Sequence, residues 1–545
     1  MKATLILAAI AALSSAAVID PRGKKDDHKP HKPNPPPHHY RPKPKLPPHY
    51  HPKPPWHHDD DKCKKKPLVS SKELQKTVTA DDLLKGSKAL ESFAYSTAER
   101  NRLMGSIGHN KTVDYLKKEL EKLGGYYDIK LEPFSSLTSI VKGNLSINGV
   151  PEDPYGIYDY SPAGDVTAPL KVVANYGCNA ADYPDLTGFI ALVARGGCDF
   201  GLKSALAGAH NAVGALIYNN IPDGAASGTL VAPPRPEGPY VPTIGILQAR
   251  GLGFAAAIGG GDTVTANINV YSSVIDTSYT NNVIATTKCG NKDTVLMLGA
   301  HSDSVIAGPG INDDGSGVIG ILNIAKNLAK YKVNNAVRFG WWSGEEEGEL
   351  GSYYYLEHAS AEELAGIRAY LNFDMIASPN FYHAIYDGDG SAFNKTGPTG
   401  SAEIEKLFED FFKSKGENST ATAFDGRSDY APFIEAGIPA GGTFTGAEYL
   451  KTTDEVAQFG GVAGVAYDVN YHGPGDNVAN LAMGAFVLHT KAIAASVATY
   501  ATSFKSLPPK GPVAIPTRKR GLGDKMAPTR TERRTRRGRK VKPAY

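Results

Sequence analysis

The sequence predicts an α/β protein in which a mixed, largely parallel sheet is flanked by helices and interrupted by a β-rich insertion. From residue 276 onward, apolar runs of strand length alternate with amphipathic runs of helix length, which is typical of parallel sheets covered by helices. Residues 126–275 instead contain short apolar runs between Gly, Pro and Asn turns. The third observation is a Gly-rich loop with His and Asp after an apolar run, where open α/β folds place their chemistry.

The two ends of the chain differ in composition from its body. Residues 1–17 have a charged start, a short apolar stretch and small residues, which predicts a secretory signal peptide. Residues 18–66 are rich in Pro, Lys and His and predict a disordered tail, which we interpret as a flexible propeptide rather than a metal-gathering segment. Residues 507–545 contain 13 Lys/Arg and 2 Asp/Glu and predict a second, basic disordered tail.

Charge and hydropathy restrict the partners and the location of the protein. The chain has a net charge of +3, but its two basic tails leave residues 67–506 with a net charge of −16. An acidic globule is a poor binder of nucleic acid through its folded surface, so we expect no such partner. No apolar run after the signal peptide approaches the ~20 residues of a membrane span. We therefore expect a secreted monomer, extracellular or vacuolar, with no membrane segment.

Cysteines and glycosylation sequons agree with export, because an oxidising compartment permits disulfides. Cys178 and Cys198 lie in one segment with 19 residues between them, and we expect them to pair. The sequence leaves open whether Cys63 and Cys289 are free or paired. Four Asn-X-Ser/Thr sequons are candidate glycosylation sites. They begin at Asn110, Asn144, Asn394 and Asn418.

The elements follow in order along three predicted parts of the folded body, residues 68–135, 136–275 and 276–506. The first part contains two amphipathic helices, at residues 81–85 and 112–123. The insertion, 136–275, contains strands and one helix, at residues 170–174, 188–193, 201–210 (the helix) and 215–218. The last part alternates strands at 294–298, 337–342 and 367–374 with helices at 318–328, 402–412 and 482–493.

Metal-binding residue types recur at the ends of these strands and in Gly-rich turns. They are His301, Asp313, the run Glu345–Glu347, Asp374 and His472. Two His and three carboxylates suit two zinc ions, one carboxylate bridging them, whereas a single ion needs only three of the five. Taken singly, His301 could be a core histidine and the Glu run a solvated helix start. Asp374, at the end of a buried strand, would need a cation to offset the cost of burying its charge.

Several motifs of the chain occur in an order that resembles a known family. They are Gly-Ala-His-Ser-Asp-Ser-Val (299–305), Gly-Ile-Asn-Asp-Asp-Gly-Ser-Gly (310–317), Trp-Trp-Ser-Gly-Glu-Glu (341–346), Asn-Phe-Asp-Met-Ile (372–376), Gly-Arg-Ser-Asp-Tyr-Ala-Pro-Phe (426–433) and Tyr-His (471–472). Together they resemble the two-zinc aminopeptidases of the aminopeptidase Y type over residues 68–505. Residues 193–200 and 203–215 resemble the protease-associated domain, which such enzymes carry as an insertion.

The resemblance implies a zinc-exopeptidase fold, two zinc ions and peptide substrates with a free N-terminus. It implies that Asp313 bridges the zincs, that His301 and Asp374 complete one metal site, and that Glu346 and His472 complete the other. It further implies that Glu345 is the general base and that Asp303 orients His301. It also implies that the Tyr471 hydroxyl stabilises the oxyanion and that Arg427 binds the substrate. A cis peptide bond is implied between Asp313 and Asp314.

The chain departs from the family pattern mainly near His472. Asn470 and Gly475 occupy positions where family members often have cysteines, so we expect no local disulfide there and a more mobile loop. Glu345 and Asp374 could bind the substrate α-amine or serve metal chemistry alone. The alternatives are a zinc carboxypeptidase or glutaminyl cyclase of the same fold, and a non-catalytic receptor or scaffold. The sequence leaves open the preferred N-terminal residue, the native metal and the removal of the tails.

Overall fold

A computed structural model describes residues 63, 65–220, 222 and 224–516. The predicted signal peptide, nearly all of the first tail and most of the second tail lie outside the described residues. The strands are β1 Tyr127–Ile147, β2 Val150–Pro151, β3 Tyr155–Asp159, β4 Gly164–Val172, β5 Ile190–Ala194, β6 Gly214–Tyr218, β7 Gly228–Thr229, β8 Thr243–Ile246, β9 Thr265–Thr287, β10 Asn291–His301, β11 Asn335–Trp342, β12 Ile367–Phe373, β13 Ala384–Tyr386, β14 Thr420–Thr422 and β15 Ala440–Phe444. The helices are α1 Ser71–Lys76, α2 Ala80–Ala94, α3 Ile107–Glu121, α4 Phe200–Ala209, α5 Gln248–Gly259, α6 Gly315–Leu328, α7 Leu350–His358, α8 Ala361–Gly366, α9 Ser401–Lys415, α10 Ala431–Glu435, α11 Thr453–Phe459 and α12 Met483–Thr502.

The strands form one hydrogen-bonded network whose halves have different roles. In the main half the order is β14-β13-β15-β12-β10-β11-β9, with parallel pairs β12–β10 and β10–β11 at its centre. Strands β9, β11 and β13 supply the antiparallel pairs. The predicted mixed, largely parallel sheet flanked by helices is confirmed.

Both faces of this half-sheet are buried, which explains why its strands are apolar without alternation. Along β10, Leu296 and Leu298 join the core beneath α6 and α12, whereas Met297 packs into a second core with Trp342 and Tyr370. The side chains of a strand alternate between faces, so a run of apolar residues supplies both cores at once.

The insertion continues the same network instead of forming a detached body. Strand order runs from β9 through β4, β5, β6, β8 and β3 to β7, with its own buried cores. Strands β1 and β9 pair antiparallel over their whole length, from Tyr127 opposite Thr287 to Ile147 opposite Ala266. The predicted boundaries at 135/136 and 275/276 fall inside these two strands, so the junction is a continuous two-stranded ribbon.

Two disulfides join the described residues, and no cysteine among them is free. Cys178 pairs with Cys198 within the insertion, as predicted. Cys63 pairs with Cys289 in the turn between β9 and β10, across 226 residues of sequence, which resolves the pairing that the sequence left open. Within the described part of the chain, no helix is long and apolar enough to cross a membrane.

Candidate metal centre

The ends of three neighbouring strands converge at one edge of the main half-sheet. Because β12, β10 and β11 run parallel, their carboxyl ends lie side by side, as expected for a ligand site in an open α/β fold. His301 ends β10, Asp374 follows β12, and the turn with Glu345 and Glu346 follows β11. Gly299 permits this convergence, since a Cβ there would lie 2.0 Å from the Tyr370 hydroxyl.

Asp313 lies between the two histidines and contacts each with a different oxygen. Its Oδ1 is 3.0 Å from Nε2 of His301, and its Oδ2 is 3.2 Å from Nε2 of His472. Nε2 of His472 is also 3.1 Å from Oε2 of Glu346. Nε2 of His301 is 3.6 Å from Oδ1 of Asp374. The two histidines therefore contact different oxygens of one carboxylate, and each lies near one further carboxylate.

These spacings fit metal binding. Two ligand atoms about 2.0–2.1 Å from a tetrahedral zinc ion lie roughly 3.3 Å from each other. Several polar atoms in the centre are also buried without a hydrogen-bond partner, among them Nδ1 of His301, Oε1 of Glu346 and Oδ1 of Asp374. Buried carboxylate oxygens without partners are costly, and a divalent cation would satisfy them. The donor set of imidazoles and carboxylates suits zinc.

The electrostatics of the centre reflect crowded carboxylates. Burial lowers the pKa of His301, but the carboxylates of Asp374 and Glu345 outweigh that effect and raise it well above its ordinary value. Burial raises the pKa of Asp313, yet hydrogen bonds with His301 and His472 bring it below the ordinary range. Burial raises the pKa of Glu345, with His301 opposing and Asp374 adding to the rise. The centre thus attracts positive charge strongly.

The other predicted site residues lie around this centre. Oδ1 of Asp303 is 3.7 Å from Nδ1 of His301, longer than a hydrogen bond, and accepts the backbone N–H of Glu345 at 3.3 Å. Tyr471 stacks on His472, with ring centroids 3.8 Å apart. Arg427 pairs with Glu448 at 2.9 Å and donates to the Tyr471 hydroxyl at 3.2 Å. The peptide bond between Asp313 and Asp314 is cis, as the resemblance implied.

The loop that carries His472 has no disulfide, as predicted, but hydrogen bonds hold it in place. Asn470 packs over Gly475 and donates to Asn480 at 2.7 Å. The carboxylate of Asp476 accepts the backbone N–H groups of Asn312 and Asp313 at 2.8 and 3.0 Å. These bonds tie the loop directly to the bridging carboxylate, and they argue against the mobility that the missing cysteines suggested.

Sequence reasoning missed several residues that shape the centre. Arg102 is fully buried and donates to the backbone carbonyls of Ser302, Pro309 and Gly310, so it holds the loop between β10 and α6. No local motif surrounds Arg102, and nothing in the sequence signals its role.

Other missed residues stand inside the motifs themselves. Asp314 caps α6 and accepts the backbone N–H groups of His301 and Met375, both at 3.1 Å. Ser428 donates to Oδ2 of Asp374 at 2.5 Å and accepts from Asn372 at 2.8 Å. Since Asn372, Asp374 and Ser428 belong to motifs already recognised, the motifs were the signal that could have found these contacts.

A cleft opens from the metal centre toward an aromatic wall. Its floor contains Asp313, Glu345, Glu346, Asp374 and His472. Its wall contains aromatic side chains from β13, from β15 and from several loops, namely Tyr382, Tyr386, Phe393, Phe444, Tyr449 and Tyr467. The cleft can therefore hold an apolar side chain next to a charged centre.

The insertion reaches the same region through the end of β3. Burial and the Glu346 carboxylate raise the pKa of Asp159 to about 7, while His472 lowers it. A carboxylate of the insertion is thus close enough to interact with two residues of the metal centre.

Comparison with known proteins places this architecture among peptidases. The profile of peptidase family M28 matches residues 282–497, and that of the PA domain matches residues 166–253. Leucine aminopeptidase 2 of Arthroderma otae is 50% identical over 444 residues, covering 81% of this chain and 88% of the relative. A probable leucine aminopeptidase 2 of Aspergillus fumigatus is 51% identical over 451 residues, covering 83% and 89%. Among solved structures, an aminopeptidase from Aneurinibacillus sp. strain AM-1 superposes with a TM-score of 0.65 at 27% identity, covering 83% of this chain and 99% of that one.

Proposed function

Because the chain belongs to peptidase family M28 and carries an inserted PA domain, we propose that its metal centre holds two zinc ions and removes N-terminal residues from peptides. Relatives at 50% identity over most of the chain are aminopeptidases, so the chain is a metallo-aminopeptidase and not the carboxypeptidase, cyclase or scaffold of the alternatives.

One observation carries the two-ion proposal: the Asp313 carboxylate is divided between His301 and His472. Oδ1 contacts one histidine and Oδ2 the other, at 3.0 and 3.2 Å. His301 and Asp374 would hold one zinc, and Glu346 and His472 the other, with Asp313 between them. When bound, the ions polarise the substrate carbonyl and acidify water.

The side chains of the cleft divide the remaining work. Glu345 takes the proton from the attacking water and returns it to the leaving amine, a role that its position on the floor of the cleft supports. The Tyr471 hydroxyl donates to the carbonyl oxygen as negative charge develops there. Arg427 orients that hydroxyl through its 3.2 Å contact. Asp303, which lies 3.7 Å from Nδ1 of His301, restrains the orientation of that imidazole.

The cleft also favours a class of substrate. Its aromatic wall suits a large apolar first side chain such as leucine, in line with the names of the relatives. Carboxylates near the centre, Glu345 and Asp374, suit a free α-amine, and N-acetylation would remove that charge. We therefore expect unblocked peptides with an apolar first residue to be preferred.

The setting of the enzyme is part of the proposal. The signal-like N-terminus and the two disulfides support secretion. The asparagines of all four sequons, Asn110, Asn144, Asn394 and Asn418, are exposed, which glycosylation requires.

The test combines metal analysis with a Glu345→Gln variant. We expect wild type to bind two zinc ions per chain and to release p-nitroaniline from leucine-p-nitroanilide, sensitive to chelator. The variant keeps both ions, yet its kcat falls about 10²–10⁴-fold, the usual contribution of a general base. N-acetyl-leucine-p-nitroanilide is the control substrate. Equal turnover of blocked and free substrates, or a fully active variant, would refute the proposed mechanism.

A further inference from the structure

A second cluster of carboxylates lies next to two residues of the aromatic wall, Tyr386 and Phe393. Asp387 and Asp389 follow β13 in the sequence Asp-Gly-Asp-Gly-Ser, residues 387–391, and Glu405 projects from the second turn of α9. One oxygen from each of the three carboxylates lies within 4.8 Å of the others. Asp387 is 0% exposed and Glu405 7% exposed, whereas Asp389 faces solvent. The cluster is thus a partly closed pocket of oxygen atoms.

Backbone hydrogen bonds hold each carboxylate of this pocket by one oxygen. Oδ2 of Asp387 accepts the N–H groups of Ala392 and Phe393 at 3.0 and 2.7 Å. Oε2 of Glu405 accepts those of Gly388 and Asp389 at 2.9 and 3.1 Å. The loop is therefore folded around the carboxylates, with their orientation set by the main chain.

The second oxygen of Asp387 has no such partner. Oδ1 of Asp387 is buried and no described N–H or hydroxyl group donates to it, while the Asp387 side chain lies against the Asp389 carboxylate. None of the ion pairs found in the described part of the chain involves Asp387, Asp389 or Glu405. Burial raises the pKa of Glu405 to about 7, and the charges of Asp389 and Asp387 add to that rise. A buried carboxylate oxygen facing two further carboxylates needs a proton or a cation.

We propose that Asp387, Asp389 and Glu405 bind a calcium ion at a site separate from the zinc centre. The donors are all oxygens, with no His or Cys, which favours a hard cation over zinc. Acidic residues at alternate positions of a tight Gly-containing loop surround one ion in known calcium loops, and Asp387 and Asp389 have that spacing. Calcium takes six to eight oxygens, so water and main-chain carbonyls would have to supply the remaining ligands.

The position of the site gives the ion a consequence for the cleft. Tyr386, which directly precedes Asp387, and Phe393, whose N–H bonds to it, both line the aromatic wall. Calcium at this site would fix the loop and with it two side chains of the wall. This consequence, a lower KM for apolar first residues, rests on the proposed function, whereas calcium binding itself does not.

The test measures binding without turnover. Zinc-loaded full-length protein, transferred to calcium-free buffer, is unfolded thermally with and without added CaCl₂. We expect calcium at about 100 times its Kd to raise the Tm of wild type by about 2–4 °C, as a ligand of the native state does. The exposed variant Asp389→Asn and the buried variant Glu405→Gln should lose this rise. Asp410→Asn, which removes an exposed carboxylate from the same helix α9, is the matched control and should keep it.

A second measurement covers the case in which a buried variant fails to fold. Terbium bound to wild type should luminesce on excitation of tyrosine, given the neighbouring Tyr386, and calcium should displace it. The Glu345→Gln variant should give the same signal, because the zinc centre is not involved, so loss of catalysis and loss of calcium binding are distinguished. An unchanged wild-type Tm with calcium, or stabilisation by acidification alone through a shared proton, would overturn the proposal.

Discussion

At the scale of single residues, the metal centre shows how charge and burial are reconciled. Asp303, Asp313 and Asp374 are each less than one-tenth exposed, and Glu345 and Glu346 are nearly as well covered. The buried guanidinium of Arg102 interacts with Asp303 and Asp313, and its own pKa is lowered because burial outweighs these carboxylates. One such cation does not balance five carboxylates, and the two proposed divalent ions would supply the remaining positive charge.

The Arg427–Tyr471 contact yields a first prediction. Tyr471→Phe removes the proposed oxyanion donor and should lower kcat about 100-fold with little change in KM. Arg427→Met should lower kcat about tenfold, since we propose that it acts through the Tyr471 hydroxyl 3.2 Å away. If Arg427 acts through the Tyr471 hydroxyl, the two effects are not additive, and the kcat of the double variant should equal that of Tyr471→Phe alone.

Steady-state kinetics of the four proteins in this double-mutant cycle provide the measurement. If Arg427 instead bound the substrate itself, as the family resemblance implied, its replacement would raise KM and the two effects would add. Zinc content serves as the control, because neither residue is a proposed ligand.

A buried histidine pair yields a second prediction, on pH. His383 and His489 are hydrogen-bonded at 2.9 Å, and burial, reinforced by Lys451, lowers the pKa of His383 to about 4. In the unfolded chain, the His383 imidazole takes up a proton near pH 6.5, whereas in the native protein it does so only near pH 4. Protonation therefore favours the unfolded chain, and the free energy of unfolding falls as the pH drops from 6.5 toward 4. The full shift corresponds to about 3 kcal/mol.

A His383→Gln variant isolates this effect. Between pH 7 and pH 4.5, the free energy of unfolding should fall less for the variant than for wild type, while His358→Gln, at an exposed histidine, should behave as wild type. Urea unfolding of the zinc-loaded proteins at both pH values provides the measurement. Equal pH sensitivity of wild type and His383→Gln would contradict the assignment of a neutral buried pair.

Among the elements, the loop that carries His472 is held by side-chain hydrogen bonds, where family members often have a disulfide. His472 has a left-handed backbone, with φ of 54°, which an L-residue adopts at a cost of about 1 kcal/mol unless its surroundings hold it. Asn470, Asp476 and Asn480 supply those surroundings through their hydrogen bonds. The element is therefore ordered by its contact with the loop that carries Asp313.

The geometry of this loop yields a third prediction. A Cβ placed on Gly475 would lie 3.4 Å from the Cβ of Asn470, close to the separation found in disulfides. The double variant Asn470→Cys/Gly475→Cys should therefore form a disulfide and gain about 2 kcal/mol of stability, the loop-entropy value for so short a ring. Thiol titration and the Tm under oxidising and reducing conditions test it. Two titratable thiols in the oxidised protein would show that the backbone does not reach.

The elements of the main half-sheet were predictable because their signals are local. Residues 294–298 and 337–342 were predicted as strands and lie in β10 and β11, the predicted strand 367–374 extends one residue beyond β12, and the predicted helix 318–328 lies in α6. The ribbon of β1 and β9 was not foreseen, since each strand is stabilised by a partner more than 100 residues away and β1 has no regular burial alternation. Pairing of distant segments leaves no trace in a local pattern.

At the scale of the whole molecule, the candidate centre is a junction of five segments. His301, Asp313, Glu346, Asp374 and His472 come from different loops and strand ends, and the sequence could name them only through motifs. The resemblance also divided them into two proposed metal sites that share Asp313, and this division stays a prediction. Arg102 escaped prediction because its contacts are backbone carbonyls 200 or more residues away, which no side-chain pattern encodes.

The junction yields the last prediction, on metal removal. Without cations, the buried carboxylates of the centre repel one another, so 1,10-phenanthroline should abolish activity and lower the Tm by several degrees. The insertion has its own cores and should be unaffected. Hydrogen exchange should therefore quicken in residues 299–317 and 468–480 while β5 and β6 stay protected.

Asp313→Asn should lower the zinc content below one ion per chain, since both sites use that carboxylate, whereas His472→Ala should leave about one. If Asp313→Asn retained two ions, the shared carboxylate could not be the bridge on which the proposed centre is built.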